Sequence, residues 1–490
     1  MSQSFTTLAE SPSALPMRKG RPLLAWLVIL AVVAFILWRY WTANPIDKQK
    51  YDLLNARFHG RYFVGVEQLE KRLSPGQSDS DALYKQARET LYQHTYAQRL
   101  RFVVLAGELK GPREAGEQLR QLNQEWTAHR GDPPDEDAAT AQTLERLYAA
   151  RTKDPAVAAP LPEEDQRELR RRLGWFGDLA LTPAEGSGDA ARAAVLAPAW
   201  RTMVSSLILG VTMLSVGGLG LILLVTLFVL WVLGFLRGGL TCGSSHSGVY
   251  AETFALYMLL FMGLSYGAHY VLEWFALRQG TIALSGLAAL GSLTALGWPV
   301  LRGIPWRQVR QDIGWHRGRR PWLEPFLGVG CYALALPMLF LGVLIMFGLT
   351  KLRDYLGLGP DEYGPSDAPA HPIVFWVARA GWWVWLEVLF VASIVAPIVE
   401  ETMFRGVLYR YLREVSSRWR PALSVLFSAL LVSFLFAVIH PQGFLAVPAL
   451  MGLAMAFTLM REWRDSLIPA MIAHGLNNGV ATALMFFLMS

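Results

Sequence analysis

Apolar stretches of 17 residues or more recur along this chain, and they constrain its fold more than any other feature. A bilayer core about 30 Å thick takes roughly 20 helical residues to cross, because each residue adds about 1.5 Å. Nine stretches qualify: Pro22–Trp38, Met203–Leu236, Thr253–Trp274, Thr281–Leu301, Phe326–Leu349, Ile373–Val399, Ala422–Ile439, Phe444–Met460 and Leu467–Met489. Hydrophobic residues make up 53% of the chain and 18 are Trp, more than a soluble globular domain usually carries. The expected fold is therefore all-α, a polytopic transmembrane helix bundle of about nine spans with a helical extramembrane insert between spans one and two.

The first stretch follows Arg18, Lys19 and Arg21 and ends in Trp38, Arg39, Tyr40 and Trp41, with no small-residue cleavage site. It reads as an uncleaved anchor. The second is too short for two crossings, so it is one long tilted helix or one interrupted near Gly217, Gly218 and Gly220. Cytoplasmic loops collect Lys and Arg, and nine spans with an inside N-terminus fit that rule. Arg302, Arg307, Arg310, Arg317, Arg319 and Arg320 then fall inside, as do Arg405, Arg410, Arg413, Arg418 and Arg420. The acidic loop Lys351–Ala370 falls outside. Basic flanks of this kind account for the net charge of +6 without nucleic acid, and they suit anionic lipid. The chain reads as an integral protein of the bacterial inner membrane. Cys242, in a predicted loop, and Cys331, in a predicted span, form neither a disulfide framework nor a metal knuckle.

Four regions follow: residues 1–43, a cytoplasmic tail and anchor; 44–200, a helical extracytoplasmic domain; 201–250, the second span and its loop; and 251–490, the part bearing the candidate chemistry. Within the second region Leu83, Ala87 and Leu91, then Leu100, Val103 and Val104, repeat at helical spacing, with a break at Gly111 and Pro112. Asp132–Asp137 reads as an acidic linker, and Pro155–Asp165 as a second break.

A charged side chain at membrane depth costs at least about 2.5 kcal/mol by insertion scales, so polar groups in the spans are functional candidates. Glu400 and Glu401 close the sixth stretch. Glu401 and Arg405 are four apart in the order that favours a helical ion pair, while Glu400 points about 100° away, so one acid can be neutralised while its neighbour faces the bundle interior. His440 closes the seventh stretch, four residues after Phe436. In the ninth, His474 and Asn478 share a helix face, and Ala470, Ala473 and Gly475 beside them allow close helix approach. Each group alone has an ordinary structural explanation: a helix end, an interfacial His, a hydrogen-bonded polar pair. His269 with Glu273, and Glu387 among Trp382, Trp383 and Trp385, read as interhelical pairing and packing.

Together, Glu-Glu-x-x-x-Arg, Phe-x-x-x-His and His-x-x-x-Asn, in that order, resemble the three signature motifs of the CAAX-protease and bacteriocin-processing (CPBP, Abi) family of intramembrane proteases, which includes prenyl-protein CAAX endopeptidases. The resemblance runs from about Thr253 to Met489. That family's core is usually given eight spans and seven follow Thr253, so either one is absent or one of the first two spans supplies it. The resemblance implies a catalytic set of Glu400, Glu401, His440, His474 and Asn478. Glu400 and His440 would activate water, while His474 and Asn478 would stabilise the oxyanion, a contribution of roughly 3–4 kcal/mol for such donors. Glu401 and Arg405 would support the geometry, with Phe436 beside them. A metalloprotease form is equally drawable, with zinc held by Glu400, His440 and His474, although no HExxH occurs.

The expected partners are the lipid bilayer and a protein or peptide substrate. Nothing in the chain identifies a host that prenylates proteins. A non-proteolytic membrane scaffold or bacteriocin-immunity protein is the alternative, and intact motifs weigh against it. A transporter reading lacks an evident inverted repeat.

Overall fold

The computed structural model describes residues 20–42, 46–74, 80–92, 95–154, 161–183, 189–235, 239–240, 248–275, 281–357 and 382–489. Among these residues every regular element is a helix. Most of the acidic loop assigned to the outside and the start of the sixth stretch, together with Cys242, lie outside the described residues.

The chain begins with α1 (Pro22–Trp41) and α2 (Ile46–Leu73), followed by α3 (Ser80–Leu91), α4 (Tyr96–Lys110), α5 (Pro112–Arg130), α6 (Asp135–Lys153), α7 (Glu163–Leu173) and α8 (Trp175–Leu181). Next come α9 (Asp189–Val232), α10 (Val249–Trp274), α11 (Thr281–Ser292), α12 (Gly297–Leu301), α13 (Trp306–Ile313) and α14 (Glu324–Tyr355). The last four are α15 (Trp382–Val415), α16 (Pro421–Val438), α17 (Val447–Arg464) and α18 (Ile468–Met489). Two compact units result, one centred on Pro45–Met213 and one built from the N-terminal helix and Leu214–Met485.

In the Pro45–Met213 unit the helical repeat read from sequence becomes a core. Leu83, Ala87, Leu91, Leu100, Val103 and Val104 are all buried, together with Phe102, Leu144 and Phe176. A reciprocal cap starts α4, where Thr95 and Gln98 satisfy each other's backbone and side-chain groups. Gly111, at φ +95°, ends it, and Pro112 opens α5. The acidic linker expected at Asp132–Asp137 is instead the beginning of α6: Asp135, Glu136 and Asp137 occupy its first turn, where the helix dipole favours negative charge. Glu163, Glu164 and Asp165 do the same for α7.

In the membrane unit, eight helices among the described residues are long and apolar enough to cross a bilayer. The ninth expected crossing forms α18, a 22-residue helix that is not among the eight. The glycines near the middle of α9 do not break it, since the helix runs on for 44 residues. A Cβ on Gly220 would collide with the Ala333 carbonyl of α14, so this glycine marks a close crossing.

The first helix belongs to the bundle. Ala25, Ile29 and Val32 share a core with Val249, Tyr250 and Phe254 of α10. At its ends, the Arg21 backbone N–H donates to Glu252 Oε1 at 2.7 Å, and the Tyr40 hydroxyl donates to the Ile439 carbonyl at 2.6 Å.

The sixth stretch departs from expectation at its end. Rather than stopping at Val399, α15 continues to Val415 and carries its charges inward. Arg405 and Arg410 are buried. Arg405 pairs with Glu401, Arg410 with Asp312 at 3.4 Å and Arg413 with Glu462 at 3.0 Å. Three of the five Arg assigned to a basic loop are thus held by partners inside the fold.

Candidate active site

Two departures from α-helical bonding shape the site. Val391–Val395 and Glu401–Leu408 are π-helical, and Ala396–Glu400 lies between them. Single π turns arise where an i→i+4 bond is lost, and Pro397 supplies the cause at the first. The Ala396 N–H bonds the Val391 carbonyl, five residues back, and Pro397 has no N–H to offer the next one. The Ala392 carbonyl is therefore freed from the helix. Asn478 Nδ2, from α18, donates to it at 2.9 Å. This is how α15 and α18 are matched: a carbonyl orphaned by proline on one meets an amide donor on the other.

The same matching explains Gly475. A Cβ there would sit 2.5 Å from the Ser393 carbonyl oxygen, a backbone atom that cannot swing aside. Only glycine lets α18 lie this close, and the approach carries His474 against the middle of α15, at Glu400 and Glu401.

Glu401 is fully buried and accepts from two directions. Arg405 Nη1 donates to its Oε1 at 3.0 Å, and His474 Nδ1 lies 2.7 Å from the same oxygen. Arg405, also fully buried, donates from Nη2 to the Ala454 carbonyl at 3.2 Å and lies over the Phe436 ring, 4.4 Å from its centroid. Its positive charge makes Glu401 an acceptor, so the His474 Nδ1 carries the proton. Phe457 stacks on the His474 ring at 5.0 Å and 21°, fixing its plane.

His440 follows α16 by two residues. Its Nδ1 is 2.5 Å from the Phe436 carbonyl, which can only accept, so that nitrogen too is protonated. In their neutral forms both imidazoles consequently present a bare Nε2. Both lie near one atom: Glu400 Oε2 is 3.9 Å from His440 Nε2 and 3.8 Å from His474 Nε2. That oxygen is buried and has no hydrogen-bond partner in the protein.

Glu400, His440 and His474 are thus brought together from α15, the end of α16 and α18. Glu401 and Arg405 stand behind His474, and Phe436 touches His440 as well as Arg405, with ring centroids 4.2 Å apart for the first pair. Asn478 is one turn further along α18, its Nδ2 engaged by Ala392 and its Oδ1 accepting from Asn477 at 3.2 Å. Phe457 and the Ala454 carbonyl escaped the sequence reading, since an apolar residue in an apolar run carries no flag. Pro397 was the visible signal for the π turn.

The weaker candidates do not join the cluster. His269 and Glu273 pair with each other along α10 at 3.1 Å, both largely exposed, so the expected interhelical pairing is replaced by an ordinary i,i+4 contact. Trp382 and Trp383 stack at 4.0 Å.

Two acceptor nitrogens this near an acceptor oxygen leave room for a proton, a water or a cation between them. Among the described residues no group of three His, Cys, Asp or Glu converges closely enough to hold a metal ion. Spacings of 3.8–3.9 Å are, however, spanned by one water about 2.8 Å from each oxygen or nitrogen.

Comparison with known proteins returns one family. Residues 381–480 match the family described as type II CAAX prenyl endopeptidase, Rce1-like. The match takes in Glu400 through Asn478 and leaves the rest of the chain unassigned. No curated protein and no solved structure matches the chain.

Proposed function

We propose that this protein is an intramembrane endopeptidase that hydrolyses a peptide bond of a membrane-delivered protein or peptide. The observation that carries the reading is the Glu400 carboxylate oxygen, buried, without a hydrogen-bond partner in the protein and faced by two imidazole nitrogens. The family match over the same residues supports it.

In this reading a water held by Glu400 and His440 loses a proton to Glu400 as its oxygen attacks the peptide carbonyl. The negative charge that develops on the carbonyl oxygen is met by His474. For that role His474 must be protonated at Nε2 as well as Nδ1, and the Glu401 carboxylate behind it stabilises the imidazolium. The second N–H of the Asn478 amide is the other donor. Glu400 then passes that proton to the leaving nitrogen, directly or by way of His440 Nε2, and the C–N bond breaks. Glu401 and Arg405 act through His474 and are positioning residues. The N-terminus is assigned to the cytoplasm and residues 44–200 to the opposite side, from the distribution of Lys and Arg.

Zinc is the second reading, because its preferred donors are the same three groups and both Nδ1 atoms are already bonded, as they are in zinc-bound histidines. Glu400, His440 and His474 would hold the ion, which would supply a bound water of lowered pKa, and no step above passes through one. A scaffold or immunity role without chemistry remains the competing function.

Expressing Glu400→Gln and His440→Ala in cells and comparing the new protein termini in the membrane fraction tests the reading. Loss of a set of membrane-protein termini in both variants is the expected result. Identical termini in wild type and both variants would overturn it.

A further inference from the structure

Beside the candidate active site lies an apolar cavity of about 360 Å³. One wall is α1, through Leu37, Trp38 and Tyr40. Val438, Phe444 and Val447 form much of the other, and His440 belongs to the lining. The Tyr40 hydroxyl, which donates to the Ile439 carbonyl, fixes the α1 wall directly against the residue preceding His440. Three of its eight lining residues come from a helix far outside the segment 381–480 that matches the family.

We infer that this cavity is a specificity pocket that takes one large apolar side chain, of the size of Leu, Met or Phe, from the substrate residue adjoining the scissile bond. The inference rests on the peptidase reading above, and it names what that reading leaves open. Three observations carry it. His440 is shared between the cavity lining and the cluster around Glu400, so a group seated in the cavity belongs to a residue next to the carbonyl under attack. The volume is about 2.4 times the roughly 150 Å³ that holds a benzene ring in an engineered protein cavity, which gives room for a ring or a branched chain. The lining offers a charged substrate group no paired partner: the Tyr40 hydroxyl is engaged by Ile439 and His440 faces Glu400, so a buried charge would go unmatched.

The test uses the full-length protein in lipid nanodiscs with synthetic single-span peptides. A diazirine-bearing phenylalanine is placed in turn at each residue near the membrane boundary. Binding is read on Glu400→Gln by photolabelling and peptide mapping, without any need for turnover. Cleavage is read on the wild type for peptides with Ala, Leu, Phe or Asp at the position that labels. Labelling at Trp38, Phe444 or Val447, with kcat/KM for Leu or Phe at least about tenfold above Ala, is the expected result. Narrowing the cavity with Val447→Phe or Leu37→Phe should reduce that ratio about tenfold, and using both variants guards against a folding defect in one. Labelling at the cavity without any cleavage supports the pocket while overturning the peptidase reading. Cleavage with labelling elsewhere, or with no Leu-to-Ala preference, overturns the pocket alone. Absence of both overturns both. Labelling of the cavity by a diazirine acyl-chain lipid that the peptide fails to displace assigns it to lipid and overturns the inference.

Discussion

The pair Glu401–Arg405 gives the sharpest quantitative test of how the site is held. Both side chains are fully buried and their charged atoms are 3.0 Å apart. At an effective dielectric of about 20, that separation corresponds to an attraction of about 5.5 kcal/mol. Removing one partner leaves the other charged, buried and unmatched, a loss of roughly 3–5 kcal/mol in comparable pairs. Arg405→Met leaves the Glu401 charge only the His474 N–H, and Glu401→Gln takes from Arg405 its ion-pair partner, so each single variant should lose about that much stability. The double variant strands nothing and should lose less than half of what either single variant does, because removing both charges also removes the desolvation they suffer. The assay is a double-mutant cycle of reversible unfolding in mixed micelles titrated with SDS. Gln at position 401 can still accept from His474 Nδ1, yet without the negative charge it no longer stabilises an imidazolium, so cleavage should fall about 10–100-fold, as when an outer partner of a catalytic imidazole is lost. Additive losses in the cycle would refute the reasoning, because they would mean that the two charges do not depend on each other in the fold.

Three further outcomes follow from particular contacts. Gly475→Ala places a Cβ 2.5 Å from the Ser393 carbonyl oxygen, so α18 must move away from α15, with a loss of about 1–3 kcal/mol and weakened cleavage read in the same assays. His59, in α2, is half-buried and its pKa is held below 6.5 by that loss of solvent, so the unfolded chain binds more protons in the window just below 6.5. Stability of the Pro45–Met213 unit should consequently rise with pH through that window and fall as the pH drops below 6.5. Hydrogen exchange of its amides, corrected for the intrinsic pH dependence, should show this slope in the wild type and a flatter one in His59→Gln. Cleavage should survive metal chelation; activity lost to a chelator and restored by zinc would instead make Glu400, His440 and His474 metal ligands.

Much of this architecture is legible in the sequence, for physical reasons. Lipid leaves no alternative hydrogen-bond partners for the backbone, so apolar length alone identifies most spans. The spacing of Leu83, Ala87 and Leu91 likewise predicts a buried helix face, which the structure contains. The four-residue interval between Glu401 and Arg405 predicts their pairing, also present.

What escaped the sequence is set by contacts between distant residues. The position where α15 ends depends on Asp312 and Glu462, which take up Arg410 and Arg413 and allow a charged helix to continue into the bundle. The hydrogen bond from Asn478 to Ala392 depends on α18 lying beside the π turn that Pro397 causes, a contact 86 residues away in sequence. Likewise, acidic residues before a helix read as linker or as first turn alike, and only the packing of α6 and α7 decides between them. The participation of α1 in the bundle follows from its contacts with α10 and Ile439, which no local pattern announces.

The central claim is that Glu400, His440 and His474 form one hydrolytic site, and its most direct measurement is peptide-bond cleavage by the purified protein in nanodiscs, run in oxygen-18 water. The account predicts one heavy oxygen in each new carboxyl terminus, with cleavage reduced by about 10²–10⁴-fold in Glu400→Gln. Cleavage at an undiminished rate in Glu400→Gln would contradict it.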